Sequence, residues 1–121
     1  MVSLEVDLEM IGKVLVVRLS GELDDHTADY VRERVSRAIE RNHVKNLVLN
    51  FQAVTFMDSS GIGVVLGRYR QIKQRDGKMI ICAVPPVIKR LFSMSGIFKL
   101  VEFVDTEAEA VEKIGGMYDE K

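Results

Sequence analysis

A single cysteine, Cys82, leaves this 121-residue chain no internal disulfide. Its setting in "MIICAV" makes it a core thiol on a buried strand. Tryptophan is absent, and no basic stripe interleaves with aromatic residues, so the chain carries no footprint of a nucleic-acid binder. Neither sign of charge dominates. Seventeen Lys and Arg face eighteen Asp and Glu, a net charge of −1, which gives no attraction to nucleic acid or to an anionic membrane. No apolar run approaches the ~20 residues of a membrane span. The opening "MVSLEVDLEM" lacks a basic segment followed by a long apolar one, so no signal peptide is expected and the cytoplasm is the default location. His26 and His43 are the only histidines. Neither has metal-ligand spacing to another His or Cys, which argues against a zinc site.

What is present is a well-patterned α/β chain. Its 47% hydrophobic and 29% charged residues suit one soluble domain spanning residues 1–121 with a real core. Leu4, Val6, Leu8 and Met10 alternate as in a half-buried strand. After the turn "IGK", residues 14–20 form a second strand and complete a hairpin. From about residue 25 to 41 the period becomes helical, with Ala28, Val31, Val35, Ala38 and Ile39 on one stripe. Asp24 or Asp25 can cap that helix and Asn42 can end it. "NLVLNF" (46–51) is a third strand. A helix from Ser59 to about residue 74 follows, closed by "RDG" with Gly77 at positive φ. Residues 78–83 form a fourth strand, and Pro86 starts a short helix to about Met94. Residues 101–103 form a fifth strand. Thr106 and Glu109 have capping-box spacing ahead of a last helix that Gly115 and Gly116 should end. The tail "MYDEK" is expected to fray. The order β-β-α-β-α-β-α-β-α predicts a mixed sheet of four or five strands with about four packed helices and a right-handed βαβ unit.

The stretch "TFMDSSGIGVVLG" is the unusual one. It falls at the carboxyl edge of the parallel strands, where open α/β sheets keep their sites. Wound at 100° per residue, Ile62, Val65, Leu66, Tyr69, Ile72 and Lys73 share one side, and the first five make a core stripe. The other side holds Ser60, Gly63, Val64, Gly67 and Gln71, small and uncharged where Lys and Glu are usual. Each interior glycine costs roughly 1 kcal/mol against alanine. Such a face lies close against another surface, either a loop of the same domain or a partner. Asp58 is placed to cap the helix. Ser59 and Ser60 then stand where the helix dipole favours negative charge, as helix starters or as phosphate acceptors. The local pattern does not choose between the two serines.

Several chemistries find no support. GxxxxGK[ST] is missing, so there is no P-loop. The glycines read G-x-G-x-x-x-G, one residue too long for a dinucleotide fingerprint, and no acidic residue ends the next strand. G-x-S-x-G, the nucleophile elbow, is missing too. A small hydrolase would have to use Asp58 and Ser59 alone.

"LSGELDDHTA", "LVLNF", "FMDSSGIGVVLGRYRQIK" and "VIKRLFSMSGIFKL", in this order across almost the whole chain, resemble the anti-sigma-factor antagonists of the STAS domain family. "MDSSG" followed by "GVVLGRY" is the specific part. The resemblance implies a non-enzymatic regulatory domain in the cytoplasm. Its partner would be an anti-sigma factor that is also an ATP-dependent serine kinase, with a serine phosphatase to reset it. ATP or ADP would belong to the kinase, so no cofactor is expected here. The family's acceptor is the first serine after the aspartate, Ser59. Its docking surface maps onto Asp24, Asp58, Ser60, Gly61, Ile62, Gly63, Val64, Gly67 and Arg68. Ser93 and Ser95 should lie at the opposite edge of the sheet. An alternative within the family is a scaffold of a stress-signalling complex.

Overall fold

The chain alternates strands and helices. In a computed structural model, describing the backbone of residues 3–119 and side-chain surroundings through residue 115, the strands are β1 (Leu4–Ile11), β2 (Val14–Leu23), β3 (Asn46–Met57), β4 (Met79–Cys82) and β5 (Glu102–Val104). The helices are α1 (Ala28–Arg41), α2 (Ser59–Lys73), α3 (Pro86–Ser95) and α4 (Glu107–Asp119). One sheet runs β1-β2-β3-β4-β5. Only the β1–β2 hairpin is antiparallel, and the other neighbours are parallel. The expected mixed sheet with four helices is therefore observed.

Period-2 alternation sorts the side chains into two layers. Leu15, Val17, Leu47, Leu49 and Ile81 face α1, α2 and α3 in the larger core, while Val14, Val16, Val48, Ile80 and Cys82 face Ala110 and Ile114 of α4. Phe92 of α3 closes the larger core edge-on against Phe51 and Phe103, with ring centroids 5.3 Å apart in each pair. Cys82 is fully buried. Burial, with the nearby charge of Glu107 adding to it, pushes its thiol up to about 12, which makes it the inert core thiol foreseen. Among the described residues no helix is long and apolar enough to cross a membrane.

Several boundaries differ from the expected ones. β3 runs six residues past Phe51, because register shifts between Arg18 and Ser20 and between Gly21 and Glu22 break the alternation while pairing continues to Leu23↔Met57. The first helix begins at Ala28 after Thr27, three residues later than an Asp24 cap would set it. Asp76, not Gly77, takes the positive φ after α2. Gly77 is needed because a Cβ there would sit 1.6 Å from the Lys45 carbonyl oxygen. Gly115 and Gly116 do not end the last helix, which continues to Asp119. A glycine weakens a helix by about 1 kcal/mol and does not forbid one. Thr106 does cap α4, accepting the Glu109 N–H at 3.1 Å. The expected fraying of the tail concerns residues that lie partly outside the described ones.

Glu107 fastens α4 to the sheet. Arg18 donates to both of its carboxylate oxygens, at 2.8 and 2.7 Å, and Asn50 donates at 2.9 Å. The Arg18 hydrogen bonds hold the Glu107 carboxyl below the usual carboxylate range. Its folded pKa is depressed, so this stabilisation is fully present above the unfolded value of about 4.3 and is lost as pH falls through the folded pKa. Glu107→Gln should lower stability at pH 7 by about 1–2 kcal/mol and flatten the acid limb of the stability curve. Urea unfolding at pH 7 and at pH 3 checks this. Equal losses at both pH values would contradict it.

Candidate functional site: the edge where α1 and α2 begin

Two parallel strands end side by side at one edge. Glu22 pairs with Phe56 and Leu23 with Met57, and the Asp58 N–H donates to the Leu23 carbonyl at 3.2 Å. The turn after "GEL" and the start of "DSSG" are thus stitched together, which brings Asp24 next to Asp58. Gly21 permits this path. Its φ is +113°, and a Cβ would sit 2.2 Å from the carbonyl oxygen of Ser3.

Both aspartates are used locally. Asp24 accepts from the backbone N–H of His26 and Thr27 at 2.9 and 3.2 Å. The Thr27 hydroxyl in turn accepts the Asp24 N–H and donates to the Glu22 carbonyl. This closed turn feeds α1. Asp58 is extended and caps α2, accepting the Ser60 N–H at 2.8 Å. Its carboxylate serves the helix start, and no general base is hydrogen-bonded to the Ser59 hydroxyl among the described residues. The His26 side chain is 86% exposed and makes a long contact, 3.7 Å, to Asp25.

The side chains of α2 divide differently from the single-helix wheel. Gly61, Val65 and Ile72 point to the sheet and are buried. Val64 and Arg68 are also buried, and Gln71 donates to Ser36 and Glu40 of α1. Half of the supposed outer face is therefore the contact with α1. Gly61, Val64 and Arg68, expected on the docking surface, lie inside the domain. Gly61 is small because a Cβ would come within 2.4 Å of the Met57 side chain and 3.1 Å of Leu23.

What faces outward begins with Ser59, which is exposed, and Gly63, also exposed, with nothing within 4 Å of where a Cβ would stand. Gly67 likewise has open space at its Cβ position and is partly exposed. Ser60, Ile62 and Leu66 are half-buried, and Arg70, three turns beyond Ser59, is the first charged exposed residue. At the same edge Phe56 is half exposed and Val87, in the first turn of α3, is 79% exposed. The sequence-based reading missed Phe56 and Val87. An apolar residue next to a strand end or in a helix's first turn gives no signal of its own. Ser95, one of the two remaining serines of interest, uses its hydroxyl inside the chain, donating to the Phe92 carbonyl at 2.7 Å. This edge offers a smooth apolar surface with an exposed hydroxyl at a positive helix end.

Comparisons with known proteins agree with this architecture. Residues 5–110 match the STAS domain. The chain is 46% identical over 112 residues to an anti-sigma F factor antagonist of Paenibacillus polymyxa, covering 93% of this chain and 96% of that protein. It is similar to the structure of the anti-sigma factor antagonist SpoIIAA in its unphosphorylated form, with TM-score 0.75 and 35% identity over 93% of this chain and 99% of that one. The Bacillus SpoIIAA structure in the phosphorylated form matches with TM-score 0.73 and 36% identity, covering 91% of this chain and 99% of that one. The chain belongs to the STAS domain family, among relatives that are anti-sigma factor antagonists.

Proposed function

We propose that this protein is a phosphorylation-switched antagonist of an anti-sigma factor. In its unphosphorylated form the outer stripe of α2 and the Asp24 turn dock on an anti-sigma factor that is also a serine kinase, and the sigma factor is freed to direct transcription. The kinase transfers a phosphoryl group from its own ATP to the Ser59 hydroxyl and releases the product. A serine phosphatase resets it. Likeness to antagonists of anti-sigma F supports a sporulation setting, and the cycle runs in the cytoplasm.

The observation that carries this reading is the pairing of an exposed Ser59 with the bare surface of Gly63, one turn along the same helix. A protein kinase must reach the hydroxyl, and a partner that seats closely must meet no long side chain. Both conditions hold here. Ser93 and Ser95 are exposed too, but the 80% exposed Met94 stands between them and the Ser95 hydroxyl donates to the Phe92 carbonyl. Ser60 is half-buried with its N–H committed to Asp58, so Ser59 is the more accessible acceptor. Incubation with the cognate kinase and ATP should place the phosphate on Ser59, and Ser59→Ala should abolish labelling. Phosphate found on Ser60, or undiminished labelling of Ser59→Ala, would refute the assignment.

A further inference from the structure

Away from the docking stripe, α1 and α2 leave a cleft of about 430 Å³ lined by Arg32, Glu33, Ser36, Arg37, Glu40 and Arg68. Arg68 is the most buried of these at 8% exposure. Its Nε donates to Gln71 at 3.0 Å, but its Nη1 is sealed from solvent without a hydrogen-bond acceptor. A buried charged donor left unpaired is unfavourable, and native interiors avoid it unless the group has a use. The surroundings do not compensate. Arg32 spends a hydrogen bond on Asp29 at 2.6 Å. Glu40 accepts from Gln71 at 3.1 Å and from Arg75 at 3.5 Å. Arg37 donates to no described residue. Three guanidinium groups therefore line the cleft against two carboxylates, Glu33 and Glu40, and Glu40 is already engaged.

We propose that this cleft is a binding site for a small oxyanion, held by Arg68 from α2 and by Arg32 and Arg37 from α1. Guanidinium groups recognise phosphate and carboxylate through paired N–H donors, and the orphaned Nη1 supplies a donor waiting for such an oxygen. Burial, helped by repulsion from Arg32, lowers the pKa of Arg68, and an anion beside it would favour the charged form again. The cleft is rimmed by Arg32, Glu33, Arg37 and Glu40, all exposed, so an anion would approach Arg68 from the surface between α1 and α2. An occupied cleft would tie α1 to α2, the two helices whose starts carry Asp24 and Asp58.

The full chain titrated with sodium phosphate at constant ionic strength, followed by proton–nitrogen NMR, tests this. Saturable shifts of the Arg68 Nε–H and of the Arg37 and Gln71 amides are expected in the millimolar range. A parallel acetate titration separates the ligand classes: tighter phosphate binding assigns a phosphate-bearing ligand, and tighter acetate binding assigns a carboxylate. Arg37→Ala, an exposed position that cannot unfold the core, should weaken saturation at least threefold, and Arg68→Met should abolish it without lowering the thermal midpoint. Shifts that grow linearly with salt, or that persist in Arg37→Ala, would overturn the proposal. So would a steep loss of stability in Arg68→Met, which would mean that the guanidinium has a structural role instead.

Discussion

The Ser59-phosphorylated protein is expected to bind its kinase at least a hundredfold more weakly than the unmodified protein, while its thermal midpoint moves by only a few degrees. The phosphate adds about −1.5 to −2 charges and three acceptor oxygens. Within the domain this is nearly neutral. At the start of α2 an anion gains about 0.3–1 kcal/mol from the dipole, and repulsion from Asp58 and Asp24 offsets part of that. All of it is small against a folding stability of about 5–15 kcal/mol. Ser59 is exposed and covers no core residue, so the phosphate displaces nothing. At an interface the balance changes. The phosphate must lose its water against a surface shaped for a neutral hydroxyl, beside two carboxylates, and an unpaired buried charge there costs several kcal/mol. A hundredfold loss requires only about 2.8 kcal/mol. Amide shifts should stay local to the Asp24 turn and the first turns of α2. Widespread shifts, or a large drop in midpoint, would mean that phosphorylation acts by reshaping the domain.

Gly63→Lys is expected to weaken kinase binding by well over tenfold, more than about 1.4 kcal/mol, in a protein that is as stable as the parent or slightly more so. A Cβ at this position meets nothing within 4 Å, and lysine favours a helix over glycine by up to about 1 kcal/mol. The substitution therefore leaves the fold alone and puts a long, hydrated cation where a partner would seat. Gly61, two residues earlier, is the control. There a Cβ meets Met57 at 2.4 Å, so Gly61→Val should lower the midpoint whether or not any partner exists. Surface binding kinetics and thermal melts of the two variants separate docking from packing. Normal kinase binding by a folded Gly63→Lys would remove the outer stripe of α2 from the interface.

The contrast between these two glycines also shows where the sequence stops being informative. Alternation in β1 and β2 and the aliphatic run in β4 located those strands, because each side chain's burial follows from its own period. Asp58 as the cap of α2 was legible for the same reason, since capping is decided within three residues. The outward direction of α2 was not. A helical wheel separates the sheet side from the rest, but Val64, Arg68 and Gln71 are turned inward by α1, an element that is twenty or more residues away in sequence. The extension of β3 to Met57 was hidden because the register shifts against β2 break the period-2 alternation after Phe51, so exposed and buried residues no longer take turns. The choice of Ser59 over Ser60 came from family resemblance, and the geometry adds a physical reason, the greater exposure of the first serine.

The most direct measurement is displacement of the sigma factor. A preformed complex of the cognate sigma factor with its anti-sigma kinase is loaded with nucleotide and challenged with unmodified protein or with the homogeneous Ser59-phosphorylated form. The release of labelled sigma factor is then followed by anisotropy. Unmodified protein should release it with a saturable dose dependence, and the phosphorylated form should release none over the same range, recovering the activity after dephosphorylation. Equal release by both forms, or by neither, would contradict the claim that this helix face binds the anti-sigma factor and that a phosphate on Ser59 turns the binding off.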